Sequence, residues 1–284
     1  MTSEINKMIK YQTNNQIQIY LNSSKADYYL NQSAKSIVHF HLNETLFFND
    51  GSIIETRISL VNAMIPISWY LINENNNQIT IRINQVNQTY SFPYGNYNIN
   101  TFINAWYNVV NGGKEQWNLS YNSTTNKLTI HNNLYTFLIS DKHINSIFPI
   151  LGFQKGDEYF EDDDNNITSE FVINFSGLSH LFIKSPTFGL NNIASRNNAC
   201  CDNIIASIPV NASTNGVILY NNYSMFKSIF NNHGLNNIEI AITDDNTHHV
   251  NFNNVDWALT LQIDIIKESV KILDTVEEIY NNAK

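Results

Sequence analysis

From residue 36 to residue 266 the chain repeats one pattern, a short alternation of apolar and polar residues closed by a turn-forming residue. That repetition constrains the fold more than anything else in the sequence. Side chains on a strand point alternately to two faces, so such alternation predicts strands with one buried face. The segments are SIVHFHL (36–42), TRISLVNAMI (56–65), QITIRIN (78–84), TYSFPY (89–94), WNLSY (117–121), KLTIH (127–131) and YTFLIS (135–140). They continue with FVINF (171–175), HLFIKS (180–185), NIIASIPV (203–210), GVILYNNY (216–223), NIEIAIT (237–243) and VDWALTLQIDII (255–266). Asn75-Asn76-Asn77, residues 122–126, Asn215-Gly216, Gly234 and Asp244-Asp245 supply turns between them. Many short strands at regular spacing, with few helices, predict an all-β chain, an antiparallel sandwich or a jelly roll.

Helices are few. Ile99, Phe102, Ile103, Trp106 and Val110 recur at helical spacing, after Asn98 or Asn100 as a cap and before Gly112-Gly113 as a stop. HINSIFPILGF (143–153) predicts a short helix and a turn. Residues 88–155 then form a small α+β insertion within a jelly-roll domain over 36–264. Residues 1–35 are polar and weakly patterned, which predicts a flexible or partner-ordered arm. Residues 265–284 place Ile266, Val270, Leu273 and Tyr280 on one stripe, widened by Val276 and Ile279, which predicts a C-terminal amphipathic helix.

Composition bounds the partners. Hydrophobic residues make up 43% of the chain, enough for a sizeable core, while charged residues make up only 14%, against about 25% in typical domains. Asparagine fills the difference, with 48 residues spread among the alternating apolar positions. Net charge is −9, and the 16 Lys and Arg residues are scattered. They form no basic patch for phosphates, so no specific nucleic acid is expected. Lys7, Lys10, Lys25 and Lys35 are a weak set near the N-terminus. The only cysteines, Cys200 and Cys201, are adjacent, a geometry that disfavours a bridge and fits a reducing compartment. MTSEINKMIKYQ has no apolar signal-peptide run, and no stretch approaches the roughly 18 apolar residues of a membrane span.

No motif for catalysis stands out. His39 and His41 share one strand face but lack an evident third metal ligand. Glu158, Glu161 and residues 162–164 form an acidic loop without EF-hand spacing. His248-His249 beside Asp244-Asp245 reads as a polar hairpin. No cofactor, metal or catalytic residue is expected, and the chain is expected not to be an enzyme.

The order of motifs is more specific than any one of them. SLVNAMIPISWYLI supplies Ala63, Ile65, Pro66, Ser68, Trp69 and Tyr70 in sequence; Gly95-Asn96-Tyr97 precedes the helix; Leu151-Gly152-Phe153 follows the hairpin. Ile208-Pro209-Val210 closes a later strand, and Trp257 centres the last. Over roughly 36–265 this succession resembles the penton, or minor capsid, proteins of virophages and Polinton-like viruses. The resemblance implies a structural motif comprising Ile65, Pro66, Trp69, Tyr70, Gly95, Asn96, Tyr97, Gly152, Pro209 and Trp257. It implies a single jelly roll, an antiparallel β-sandwich, forming a homopentamer that closes the five-fold vertices of an icosahedral capsid, with major capsid protein trimers around the vertex, in a virion assembled in the host cytoplasm. The alternative from another class is a jelly-roll carbohydrate- or host-receptor-binding module, using Trp69, Tyr70, Trp106, Trp117 and Trp257 as stacking surfaces. A third class, a cupin-like enzyme, would need a His/Glu cluster that the sequence does not supply. Within this motif, Gly95 would resist a β-branched substitution if its φ is positive.

Overall fold

The computed structural model describes residues 7–111, 116–141, 143–162, 164–188, 203–223, 225–230 and 232–273. In chain order its first strands are β1 (Lys7–Asn22), β2 (Tyr28–Tyr29), β3 (Ile37–Phe47), β4 (Ile53–Pro66), β5 (Gln78–Ile83) and β6 (Val86–Ser91). Helix α1 (Ile99–Val109) leads to β7 (Trp117–Asn122), β8 (Lys127–Asn132) and β9 (Phe137–Ser140), and helix α2 (Phe148–Leu151) to β10 (Glu158–Phe160) and β11 (Asn166–Thr168). The remaining strands are β12 (His180–Lys184), β13 (Ile204–Pro209), β14 (Val217–Asn221), β15 (Ser228–Phe230), β16 (Gly234–Thr243) and β17 (Ala258–Leu273). The protein is all-β, and the chain divides into two compact units: Met1–Trp69 with His180–Lys284, and Tyr70–Ser179.

The first unit holds two sheets. One runs β1-β17-β4-β14, with β15 also pairing β4; the other runs β13-β12-β16-β3-β2. Among the described residues the first strand pairs the last, β1 with β17 over 16 residue pairs. Moving inward, β3 pairs β16, β4 pairs β14 and β15, and β12 pairs β13, all antiparallel. A chain paired first to last and then inward is one long hairpin rolled across two sheets, which is a jelly roll. Period-2 alternation buries one face of each sheet: Ile58, Leu60, Ala63 and Ile65 on β4, Leu259, Leu261 and Ile263 on β17, and Ile238, Ile240 and Ile242 on β16. Phe48 and Phe188 each pack edge-on against Phe230 inside this unit.

The second unit is inserted between β4 and β12. It has a four-stranded sheet, β10-β9-β5-β6, and a three-stranded sheet, β11-β8-β7. Its core gathers Ile79, Ile81, Phe92, Phe102, Trp106, Trp117, Leu128, Ile130, Ile139, Phe148 and Leu151. Burial of each such side chain contributes about 1.5–3 kcal/mol. Helix α1 starts at Asn98, whose Oδ1 accepts from the Thr101 N–H while Thr101 Oγ1 accepts from the Asn98 N–H, a reciprocal cap. Phe102 and Trp106 are its buried positions, and Trp106 stacks on Phe92.

Four expectations are corrected. The arm over 1–35 is instead largely β1 from Lys7 to Asn22, an integral edge strand. Residues 12–16 and Gln18 are exposed, while tertiary pairing with β17 supplies the backbone hydrogen bonds that local pattern could not announce. The helix over 265–284 is strand as far as Leu273, because β17 continues along β1; residues 274–284 lie outside the described residues, as do Cys200 and Cys201. The insertion spans Tyr70–Ser179 rather than 88–155, because β5 joins its sheet with β9 and β6. Finally, residues 171–175 form no strand. The Phe171, Ile173 and Asn174 N–H groups donate to Gly152, Asn126 and Ile150 carbonyls in turn.

Candidate assembly surface

Most of the motif residues act as structural pins. Ile65 is fully buried on β4, which ends at Pro66. The chain then stays tied: the Ile67 N–H donates to the Gly216 carbonyl, Ser68 Oγ to the Phe252 carbonyl at 2.7 Å, and Asn253 Nδ2 to the Ser68 carbonyl at 2.6 Å. Trp69 packs edge-on against Phe252. Tyr70, partly exposed, begins the second unit. There Ile72 and Gly95 exchange two backbone hydrogen bonds, and Asn96 Oδ1 accepts from the Leu71 N–H. Gly95 is not in the left-handed region; an added Cβ would stand 3.3 Å from the Tyr97 ring, so the constraint there is close approach. Gly152 does hold a φ of 81°, ending α2, with the Phe171 carbonyl where a Cβ would go. Pro209 ends β13, an edge strand, where a missing N–H donor is tolerated.

Trp257 pins β1 to β17. The Ser23 N–H donates to the Trp257 carbonyl, the Trp257 N–H to Ser23 Oγ, and Trp257 Nε1 to the Lys35 carbonyl. Lys35 Nζ reaches Asp256 Oδ1 at 2.6 Å. Burial opposes ionisation of Asp256, but hydrogen bonds from Lys35 and Ser23 outweigh it and hold its pKa below the usual carboxylate range.

The histidine and acid clusters resolve into local contacts. His39 Nδ1 lies 3.7 Å from Glu239, and His41 Nδ1 is 2.7 Å from Asn237 Oδ1. Asp244 accepts from the Asn246 and His248 N–H groups, closing the hairpin turn. Asp162 does the same for Asp164 and Asn166, and Glu161 accepts from the Phe137 N–H. Among the described residues no group of three or more His, Cys, Asp or Glu could hold a metal ion.

What sequence pattern missed lies along the flanks of the jelly roll. On one, β13 leads through 210–216 into β14, and β14 and β15 both pair the same side of β4. Val217 and Leu219 stand on the outer face opposite Pro66 and Met64, and Ile229 opposite Arg57. Leu219 is 64% exposed. Between β14 and β15 the chain turns around Asn222, whose N–H donates to the Val61 carbonyl and whose side chain both accepts from the Phe226 N–H and donates to its carbonyl. The turn holds Met225 at a φ of 53° and presents Tyr223, Met225 and Phe226 to water. Lys227 then reaches across the outer face to Asp264 at 2.6 Å, burying that carboxylate to 1% exposure. Burial resists the charge on Asp264; hydrogen bonds and attraction from Lys227, with Gln262 and Gln16, overcome this and lower its pKa. Beside it Arg57 pairs with Glu55 through two hydrogen bonds. On the opposite flank, β1 passes through a single short turn, Ser23–Lys25, into β2, so the edges of both sheets adjoin. Tyr20, Tyr28 and Leu30 are exposed there. The missed signal was GVILY: an edge strand with large apolar residues at consecutive positions is apolar on both faces.

No family model and no curated protein matches the chain. Among solved structures, the crystal structure of SeMet-labelled mavirus penton protein is similar to it, at 13% sequence identity and a TM-score of 0.45, covering 90% of this chain and 99% of that one.

Proposed function

We propose that this protein is a structural capsid component, a penton that assembles as a homopentamer at the five-fold vertices of an icosahedral virion. The observation that carries this reading is the jelly roll itself, with first strand paired to last and both flanks displaying apolar side chains. Viral capsid proteins use this architecture repeatedly. The ordered sequence motifs, which resemble those of virophage and Polinton-like pentons, agree with it. Two different flanks on one subunit make head-to-tail contacts, and such contacts close into a ring when the rotation per subunit divides a full turn. On this reading the neighbours are major capsid protein trimers, the role is structural rather than catalytic, and the protein ends in the virion after assembly in the host cytoplasm.

The carbohydrate- or receptor-binding alternative loses four of its five stacking residues, since Trp69, Trp106, Trp117 and Trp257 are all buried and Tyr70 alone is exposed. The test is assembly state. Purified full-length protein, viewed by negative-stain microscopy and weighed by sedimentation across a concentration series, is expected to form five-membered rings. A species that stays monomeric at every concentration would sink the reading.

A further inference from the structure

We propose that the flank formed by β14, the Asn222 turn and β15 docks on the β1–β2 flank of a second copy of this chain. The inference rests on the capsid-vertex reading for its setting and adds to it the two faces that meet.

Area is the first argument. Met64, Val217, Leu219, Tyr223, Met225, Phe226 and Ile229 are all large, apolar and exposed along one edge of one sheet, Tyr223 to 88%. Together, backbone and polar atoms included, they leave in water an area on the order of several hundred Å², approaching the roughly 800 Å² that one partner of a standard interface buries. The largest apolar patch of a typical monomer is about 300–600 Å².

The second argument is what the edges lack. A free strand edge invites pairing with another chain, and monomeric proteins blunt it with charge or proline. Strand β14 reads VILYN, without a charged residue or a proline; β1 carries Lys7 and Lys10 near its start, but its 12–20 stretch, QTNNQIQIY, has neither. These are the two opposite edges of the same sheet. Pairing like with like would leave one of them bare, whereas joining one to the other covers both and repeats from copy to copy.

Third, the face is prepared for contact. The charges bordering the patch, Lys227 with Asp264 and Arg57 with Glu55, are already paired within the chain, so association buries no new lone ion. The Asn222 clamp fixes the turn that carries Tyr223, Met225 and Phe226, which lowers the ordering cost of binding.

The experiment uses full-length protein carrying Leu219→Arg on one flank or Tyr20→Arg on the other. Circular dichroism melts verify that each variant folds; Met225→Glu and Leu30→Glu are a second pair if either does not. Each variant alone is expected to weaken self-association at least tenfold by sedimentation. A mixture of the two, in which each partner retains one intact flank, is expected to form 1:1 dimers that neither forms alone. If the wild type makes five-membered rings and both variants do too, this inference is overturned and the vertex reading stands. If the wild type makes rings of another number or open chains, and both variants abolish them, the docking faces stand and the pentamer falls. A wild type that is monomeric throughout overturns both.

Discussion

Asparagine is the residue through which this chain makes its turns. Asn31 accepts from the Ser33 and Ala34 N–H groups, Asn122 from Thr124 and Thr125, and Asn132 from Leu134 and Tyr135. Each side chain substitutes for a backbone acceptor where the ladder stops. Asn84, Asn126, Asn165, Asn203, Asn215, Asn253 and Asn254 also occupy left-handed backbone, which asparagine tolerates better than most residues. Turn positions were therefore readable from composition. The conformation at individual glycines was not: Gly95 and Gly152 look alike in sequence, yet only Gly152 has a positive φ. Gly152→Ala adds left-handed strain and drives a Cβ into the Phe171 carbonyl, so it is expected to cost about 2 kcal/mol or more. A denaturant melt checks this, and an unchanged midpoint would contradict it.

At the level of the element, alternation located strands but not their ends. Strand β4 was expected over 56–65 and runs from Ile53 to Pro66, with a bulge near Val61 as β17 passes it. In β17 the stripe that suggested a helix after Ile265 is overridden by 16 antiparallel partners on β1. Between Ile265 and Leu273 the apolar pattern does not decide between periods of 2 and 3.6 by itself; the neighbouring strand does. The one acid on the outer face of β17 that is fully buried, Asp264, ties this element to Lys227. Its folded pKa is lowered, so its contribution is fully present above the unfolded value, about 3.9, and is lost as pH falls through the lower folded value. Asp264→Asn is expected to cost about 1–3 kcal/mol at neutral pH. That is less than a fully buried pair, because Lys227 remains 28% exposed. The difference from wild type should shrink in melts below about pH 4; a constant difference down to pH 2 would remove the ion pair as its cause.

For the whole molecule the consequence is topological. The first and last described strands are partners, so the jelly roll closes only when residues from opposite ends of the chain meet. The N-terminal segment, which the sequence pattern predicts to be a flexible or partner-ordered arm, is from Lys7 onward part of the sheet, and its Leu21 and Ser23 are buried. Deleting residues 7–23 exposes the length of β17 and removes the Ser23–Trp257 pin. Loss of the cooperative thermal transition is expected, and a truncated protein melting within a few degrees of the full chain would show the strand to be accessory.

The sequence by itself determined the class of structure: alternation made the strands, asparagine and glycine made the turns, and Asn98 with its helical stripe made α1. These depend on neighbours within a few residues, where local sterics and hydrogen bonding act. Tertiary structure decided everything that depends on distant partners. It recruited Lys7–Asn22 into a sheet, made strand β17 of residues as far as Leu273 where a helix was expected from 265, set the bounds of the Tyr70–Ser179 unit, and gathered Val217, Leu219, Tyr223 and Met225 into one exposed edge. Strand pairing is a contract between segments hundreds of residues apart, and a one-dimensional pattern carries the propensity of each segment but not the identity of its partner.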